Sequence, residues 1–352
     1  MTAARQHRRG RRRGGTSLPA ALAALAVSVS FTAALADLAR TEVILARYRR
    51  MAAVALAATD GCVAALVAAV PPGWDFDVVL AGADGVTGTA DDGTLVAPAG
   101  CSAAARRPPG GATPARVLMT VDAAAGGGRR RLEAVVGRAR TPGVPALLWL
   151  GTPPAAGTIG GALVLDGTDA TDPTAPALAA LVAPADPPSL DGWLAGEAPH
   201  VAMLGASAPL TAASAPVGAL LGRLIAAGAG GPGGLPPAGT RPGGLAQVAG
   251  DLVVDTPLSG SGLLFVEGTL DIRSTLDFTG LVVAAGGLRV LAGGSLTVAG
   301  ALWVGGTGGP PAPPFRIDGM LRLRPSRAAM DDTDRLLPLP RPAVLLGVKD
   351  LS

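Results

Sequence analysis

The sequence is poor in the residue types on which many enzymes and metalloproteins depend. It has no asparagine, one lysine and 3% aromatic residues, and its two histidines are His7 and His200. Neither a histidine metal cluster nor a Ser-His-Asp triad can be assembled when the body of the chain holds one histidine, which excludes zinc and serine-hydrolase chemistry. The G-x-S-x-G, phosphate-loop and dinucleotide-binding patterns are also missing. We therefore expect no catalytic residues and a protein that is not an enzyme.

Apolar residues are plentiful instead, and the positive charge is concentrated at one end. Hydrophobic residues make up 49% of the 352 positions, enough to supply a folded core. Six arginines and no acid precede Gly14, which leaves a net charge of −3 for the rest of the chain. The basic character thus belongs to a leader of 15 residues, and no nucleic-acid partner is expected.

An uncharged run follows the arginines, from residue 14 to residue 36. As a helix it would be about 35 Å long at about 1.5 Å per residue, enough to cross a hydrocarbon core of about 30 Å. By the positive-inside rule the arginines place the N-terminus in the cytoplasm. We expect the body to lie on the other side of the membrane.

The uncharged run is either cleaved off after export or retained in the mature protein. Ala34-Leu35-Ala36, before Asp37, has the small-residue pattern of a signal-peptide cleavage site. Alternatively, the run is retained as the start of a much longer helix, because residues 20–70 contain no proline and one glycine, Gly61. We favour the retained helix and predict a transmembrane and amphipathic helix over residues 16–70.

The second half of this helix has a helical apolar pattern. Its arginines fall largely off the apolar seam, as in an amphipathic helix that leads into a folded body. The seam positions are Leu38, Leu45, Tyr48, Ala52, Ala55, Thr59, Cys62 and Leu66.

The N-terminal region consists of Arg13-Gly14-Gly15, the apolar run and the segment LARTEVILARYRRMAAVALAATDGCVAAL. Together these features resemble the N-terminal region of type IV pilin-like proteins, in particular the PilX-type minor pilins. The resemblance implies cleavage by a prepilin peptidase after Gly15, with Thr16 as the first mature residue and Gly14 as the other candidate. Ala20 stands where typical pilins carry a glutamate. The family implies the inner membrane and other pilin-like subunits as partners, a periplasmic body and, on assembly, an extracellular pilus.

Residues 71–150 are predicted to form a small pilin-like β unit. Residues 74–78 alternate between apolar and acidic side chains, a strand pattern. Residues 115–122 and 129–136 alternate around a glycine-rich turn and predict a hairpin. Residues 141–150 add an apolar strand.

The acidic loop in this unit has two interpretations. Asp84, Asp91 and Asp92 lie among glycines, and the loop resembles the calcium loop of some type II secretion pseudopilins. Ca²⁺ takes six to eight oxygen ligands, which closely spaced carboxylates supply. The same residues are also typical of a polar hairpin tip, which is the interpretation that we favour. No cofactor other than Ca²⁺ is suggested by the sequence.

The two cysteines, Cys62 and Cys101, predict a disulfide. An isolated pair in an oxidising compartment is usually bonded. The alternative is a pair of free, buried thiols.

An internal repeat marks the C-terminal part, residues 246–352. Gly262, Gly280 and Gly300 recur at 18 and 20 residues, between short alternating segments. Such a period predicts a parallel β-solenoid, whereas a β-meander with coincidental glycines is the alternative. Residues 326–337 are predicted as a helix that caps its open end.

The region between these parts, residues 151–245, is rich in alanine, proline and glycine and has little pattern. A helix at 215–227 is the one element predicted there. A final strand is predicted at 343–348, after the capping helix.

These features predict an α+β protein with a long membrane and amphipathic helix, a pilin-like β unit and a C-terminal β-solenoid. The function predicted is a non-catalytic structural or assembly component of a type IV pilus or related pseudopilus system. Two alternatives remain open: a membrane-anchored surface binding module unrelated to pili, and a bactofilin-like polymerising scaffold.

Overall fold

The chain folds as a mixed α+β protein in which a long apolar N-terminal helix leads into one antiparallel sheet and two parallel sheets. The computed structural model describes residues 17–82, 84–109, 115–144, 146–152, 155, 157–184, 187–206, 208–211, 215–227, 243–305 and 314–351.

The elements are numbered along the described residues. The helices are α1 (Ser17–Ala69), α2 (Asp77–Leu80), α3 (Pro187–Glu197), α4 (Val217–Ala226) and α5 (Arg327–Leu336). The strands are β1 (Thr94–Leu95), β2 (Cys101–Arg106), β3 (Arg116–Ala125), β4 (Gly128–Arg138), β5 (Ala146–Leu150), β6 (Ala162–Asp166), β7 (Ala179–Ala183), β8 (Val201–Leu204), β9 (Leu210–Thr211), β10 (Gly243–Val248), β11 (Leu252–Val254), β12 (Leu258–Val266), β13 (Thr269–Ile272), β14 (Thr275–Ala284), β15 (Gly287–Val290), β16 (Ser295–Val304), β17 (Phe315–Ile317), β18 (Met320–Arg324) and β19 (Ala343–Asp350).

The long helix predicted from the sequence is confirmed as α1, of 53 residues. It runs unbroken because proline is absent from its interior after the first turn, where a missing N–H costs little. Residues 18–50 are exposed, and residues 51–70 pack on the body. The predicted seam is therefore buried at its last four positions, Ala55, Thr59, Cys62 and Leu66, but not at its N-terminal positions.

The antiparallel sheet, in the order β1-β2-β3-β4-β19, packs one face on residues 51–70 of α1. The predicted hairpin is confirmed as β3 and β4, with Val121 opposite Leu132. β19 pairs antiparallel with β4, so a strand from the far end of the chain completes this sheet. We call residues 51–70, β1–β4 and β19 the anchor unit. Its core includes Cys62, Val63, Leu66, Phe76, Val117, Met119, Val121, Leu132, Ala134 and Val136.

The strand predicted at residues 74–78 is wrong. These residues form a bend that runs into α2, and the Asp75 carboxylate accepts a hydrogen bond from the Asp77 N–H at 3.1 Å. Phe76 is 1% exposed, and the Arg138 guanidinium lies 4.2 Å from the centroid of its ring. The alternation arises from a buried aromatic ring between two acids at a helix start, which imitates the period of a strand.

The two parallel sheets together form what we call the parallel stack. β12, β14 and β16 pair in parallel and in register, so that Gly262, Gly280 and Gly300 stand side by side. β11, β13, β15 and β17 pair in the same way in the second sheet. Leu263–Val266 pairs in parallel with Leu281–Ala284, which is not the antiparallel pairing of a β-meander. The inner side chains of the stack include Leu264, Val266, Leu270, Ile272, Leu276, Val282, Leu288, Val290, Leu296 and Val298.

The stack continues beyond the repeat into an earlier part of the chain. β16 pairs with β18 along its first half and with β5 along its second half, where Leu302 lies opposite Leu148. β6 and β8 extend the row after β18, and β7 and β9 extend the row after β5, all in parallel. In space, therefore, residues 146–211 follow residues 243–324, the reverse of their order in the sequence.

The strand pairing crosses the domain limits predicted from the sequence. The unit predicted over residues 71–150 gives β5 to the stack and receives β19. The region 151–245, which had little pattern, supplies β6 to β9, the start of β10 and the predicted helix, present as α4. Parallel pairing between distant segments leaves no local signal in the sequence.

The helix predicted at 326–337 is confirmed as α5, but its predicted place at the open end is wrong. Ser326 accepts a hydrogen bond from the Ala329 N–H at 3.3 Å, as an N-cap does. The helix lies along the side of β12, β14 and β16, where the Thr333 hydroxyl donates to the Gly262 carbonyl at 3.2 Å. Its apolar face, with Met330, covers outward-facing side chains of the stack rather than the inner cluster.

α3 packs on the inner cluster of the stack, which also contains Ile159, the residue that bridges to Ile317 in β17. The Trp193 indole N–H donates to the Ala155 carbonyl at 3.0 Å, and Leu190 joins the inner cluster.

The glycine column predicts a test of the stack. Gly280 has a φ of 131°, and a Cβ there would overlap the carbonyl oxygen of Gly262 in the next strand. We expect Gly280→Ala to lower the free energy of unfolding by about 3 kcal/mol or more. Two costs add: the strain of a left-handed backbone conformation at alanine, and the overlap of its Cβ with the neighbouring backbone. Denaturation in detergent followed by circular dichroism measures the loss.

Gly222→Ala is the matched control for this substitution. Gly222 lies within α4, and a Cβ added there would have nothing within 4 Å, so alanine should be neutral or stabilise by up to about 1 kcal/mol. Equal stability of the two variants would contradict close backbone packing at the glycine column.

Candidate functional site

The exposed half of α1 is the clearest functional feature of the described residues. Among those residues α1 is the one helix long and apolar enough to cross a membrane, with a mean hydropathy of 2.0 in its most apolar window and none of that window buried. The hydroxyls of Ser28 and Ser30 each donate to the carbonyl four residues earlier, at 2.8 Å. Both serine hydroxyls are therefore hydrogen-bonded within the helix, as polar groups in a lipid environment must be.

A disulfide attaches the second half of α1 to the antiparallel sheet. It links Cys62 in α1 to Cys101 at the start of β2, with Cα atoms 6.4 Å apart. This is the pairing expected from the sequence. Cys62 is buried in the core of the anchor unit, so the covalent link and the apolar packing hold the same stretch of helix.

The acidic loop is held together by its own carboxylates. Asp84 accepts from the Val86 N–H and Asp92 from the Gly88 N–H, each at 2.8 Å. Asp91 accepts from the Thr89 hydroxyl at 2.7 Å. These are the local side-chain bonds of tight turns.

This geometry favours the turn interpretation over the calcium interpretation. Across the part of the chain that the structure describes, no group of three or more His, Cys, Asp or Glu side chains is placed to hold a metal ion. Turn hydrogen bonds account for the positions of the Asp84, Asp91 and Asp92 side chains, and calcium binding stays a prediction.

A polar junction joins the anchor unit to the parallel stack. Gly73 and Arg341 exchange two backbone hydrogen bonds of 3.0 Å. The Arg138 guanidinium donates to the carbonyl oxygens of Pro71, Asp75 and Arg341 and lies over the ring of Phe76. Burial lowers the pKa of Arg138 to about 10, although the Asp75 carboxylate opposes the shift, so the side chain stays charged at neutral pH. One half-buried cation thus ties three separate segments together.

A second pair of contacts strengthens this junction from the side of the stack. The Trp74 indole N–H donates to the Pro338 carbonyl at 3.1 Å. Arg223 of α4 lies over the Trp74 ring, 4.3 Å from its centroid. Trp74 is thereby held between α4 and the segment after α5.

Asp169 fixes the start of α5 to the β6–β7 connection. Its buried carboxylate accepts hydrogen bonds from the Thr171 N–H and hydroxyl and from the Asp172 N–H. It also accepts from the Arg327 N–H at 2.9 Å, in the first turn of α5. Burial acts to raise the pKa of Asp169, but the hydrogen bonds outweigh it and lower the pKa to about 2.

Sequence reasoning missed both Arg138 and Asp169, because the partners of each are distant in the chain. The Asp-x-Thr spacing at Asp169 favours a local turn, but no feature of the sequence points to the contact with Arg327. The predicted processing residues Gly15 and Thr16 lie outside the described residues.

The disulfide predicts a labelling result. When the purified protein is unfolded without reductant and alkylated, mass spectrometry should find neither Cys62 nor Cys101 modified. After reduction both should be modified, and removal of the link should cost the anchor unit about 3–4 kcal/mol, since it closes a loop of about 40 residues. Alkylation of both thiols before reduction would show that the cysteines are free.

Asp169 predicts a pH dependence of stability. Its pKa is lower in the folded chain than the ordinary 3.8, so its contribution of about 2 kcal/mol is fully present above the unfolded value and is lost as pH falls from about 4 towards 2. Asp169→Asn should be less stable at neutral pH and should lose less stability than the natural protein between pH 5 and pH 2. Urea denaturation at each pH measures this.

Asp172→Asn is the control, since Asp172 caps the same kind of turn, with Thr174, at an exposed position. It should stay close to the natural protein at neutral pH. A similar loss in both variants would assign the effect to the turn rather than to the buried carboxylate.

Three features thus distinguish the described residues: the exposed apolar half of α1, the disulfide-linked anchor unit that carries it, and the junction built on Arg138. The first faces outward, and the other two connect it to the stack. No family model, curated protein or solved structure matches the chain.

Proposed function

We propose that the chain is a non-catalytic, PilX-like minor pilin-type component of a type IV pilus or related pseudopilus system. One observation carries the proposal: a single helix is exposed and apolar over its first half and packed on an antiparallel sheet over its second half. Such a helix can sit in a membrane or among other helices while its second half holds a folded body. Its partners in this proposal are other pilin-like subunits.

In the proposed topology the helix crosses the inner membrane once. The arginine-rich leader faces the cytoplasm and the body faces the periplasm. The disulfide supports an oxidising compartment for the body, because such bonds rarely persist in a reducing cytosol. In an assembled state the helix would leave the membrane for the core of a pilus.

Two finer features of the fold belong to the same proposal. The anchor unit is proposed to be pilin-like, supported by the helix packed across an antiparallel sheet. The parallel stack is proposed to be a β-solenoid, supported by the in-register parallel strands at the repeat of 18 and 20 residues. In a solenoid each coil is stabilised mainly by its neighbours.

A bactofilin-like polymerising scaffold is the second candidate, and the parallel stack is the observation that favours it. Scaffolds of this kind grow by stacking coils end to end. We infer that α3 opposes such growth here, since its Leu190 and Trp193 pack in the same inner cluster as Ile159, which bridges to β17.

The mature N-terminus tests the proposed function. We expect mass spectrometry of the membrane-extracted protein to find Thr16 as the first residue, because the prepilin-type cleavage follows Gly15. Gly15→Val should block cleavage, and Gly14→Val should leave it in place. A mature protein that begins at Asp37 would have lost the apolar half of α1 to a signal peptidase, and the pilin-type proposal would fail.

A further inference from the structure

An apolar groove lies at the C-terminal end of α1. It encloses a cavity of about 240 Å³ between the end of α1, α2 and β1. Large apolar side chains stand exposed at it: Val78 is 69% exposed and Val96 is 86% exposed. Exposed apolar side chains that cluster around a concavity often mark a site of interaction. The groove is lined by residues that include Leu66, Val70, Pro71, Val79 and Leu95.

The rim of this groove is acidic. Residues 71–105 contain five aspartates and no lysine, arginine or glutamate. Asp77 adjoins Val78, and the Asp91 carboxylate lies against Gly82 in the groove wall. Arg107 approaches the rim from outside this stretch, 2.8 Å from Asp77. A segment that fills the groove should therefore combine apolar side chains with positive charge.

The chain itself carries an exposed segment of that chemistry, residues 37–50, which we call the stalk. Four arginines and two acids give the stalk a net charge of +2. Its side chains are exposed throughout, including Leu45 and Tyr48, which is 64% exposed. Among the described residues, the stalk is the exposed segment in which several arginines accompany large apolar side chains.

The apolar stripe of the stalk continues the face that the anchor unit buries lower down. At about 100° per residue, Leu45 and Tyr48 lie on the same face as Thr59 and Leu66, which are buried against the sheet. The hairpin turn between β3 and β4 reaches α1 at Met51, and the stripe is uncovered before that point. Because the stripe of the stalk continues a face that packs on the sheet, we expect its uncovered part to pack against another surface as well.

We propose that the stalk of one copy of the chain occupies the acidic groove of a second copy. Leu45 and Tyr48 would lie on the exposed valines of the groove, and the arginines on either flank of the stripe would approach the aspartates of the rim. The inference rests on the proposed function, because a helix held in the membrane by its first half must leave it for the stalk to reach a neighbour's groove.

The contact has a defined symmetry. Leu45 and Leu66 are 21 residues apart in α1, so copies joined in this way are displaced by about 30 Å along the helix axis. Stalk and groove are different surfaces, so the contact is heterologous and leaves one stalk and one groove free at the ends. It therefore produces an open series of copies rather than a closed dimer.

Cysteine cross-linking of full-length chains tests the contact. Two differently tagged copies, one with Leu45→Cys and the other with Val96→Cys, are co-expressed and oxidised with copper phenanthroline. The native cysteines are already bonded to each other, which leaves the introduced thiols to react. We expect a cross-linked product that carries both tags.

The control replaces Val96→Cys by Leu346→Cys, which is 51% exposed on β19 and lies in another part of the anchor unit. Its yield with Leu45→Cys should be at least about tenfold lower, since a specific contact places one pair of thiols within reach. Equal yields from both pairs would overturn the proposal, as would a product of Leu45→Cys alone that exceeds the mixed product, which would show stalks packed on one another.

Charge reversal tests the electrostatic part. Arg49→Glu in the stalk copy, or Asp77→Arg in the groove copy, should each lower the yield by about fivefold, and the two together should restore it. High salt should weaken the natural pair, because screening acts on exposed charges. Loss without restoration in the double reversal would overturn the assignment of these surfaces.

The two proposals fail separately. A mature N-terminus at Thr16 with no cross-link between stalk and groove would remove this inference and leave the pilin-type function in place. A mature N-terminus at Asp37 would remove the function, whatever the cross-linking result, because the stalk is still present in that product.

Discussion

Each interior strand of a parallel stack needs a backbone partner along both edges, and this requirement decides how the rest of the chain is arranged. β16 is the strand where the requirement is hardest to meet, because its two halves take different partners on one edge, β18 and β5. The chain must therefore bring residues 320–324 and residues 146–150 to the same place. The anchor unit follows from this, since β4 ends at Arg138, a short connection before β5, and β19 returns to pair with β4.

The polar contacts of the junction accumulate where these segments converge. Arg138 binds carbonyls from the segment after α1 and from the segment after α5, and Asp169 binds the start of α5 from the β6–β7 connection. A buried charge is costly to desolvate unless it is fully hydrogen-bonded. Both groups meet that condition through partners on other parts of the chain, so each one adds a polar link between elements that also pack in a common apolar cluster.

The sequence allowed prediction wherever the signal was local or periodic. The absence of proline predicted α1, the recurring glycines predicted the register of β12, β14 and β16, and two cysteines left one pairing. The apolar strand predicted within residues 141–150 is present as β5, but pattern failed at residues 157–211, which lack the glycine period yet form the same kind of parallel strands. It failed again at residues 74–78, where Phe76 mimics a strand. The partners of Arg138 and Asp169 lie too far along the chain for any local pattern to show them.

The reversed order of the stack has a consequence for biosynthesis. A chain made from its N-terminus releases β5 and β6 before the strands on which they stack, because β16 and β18 come more than one hundred residues later. Until then β5 and β6 each have an edge with open N–H and C=O groups, which invites pairing with other chains. The anchor unit waits longer still, as its last strand, β19, is made after all the strands of the stack. Neither the stack nor the anchor unit can therefore be completed until strands from late in the sequence reach partners that were made much earlier.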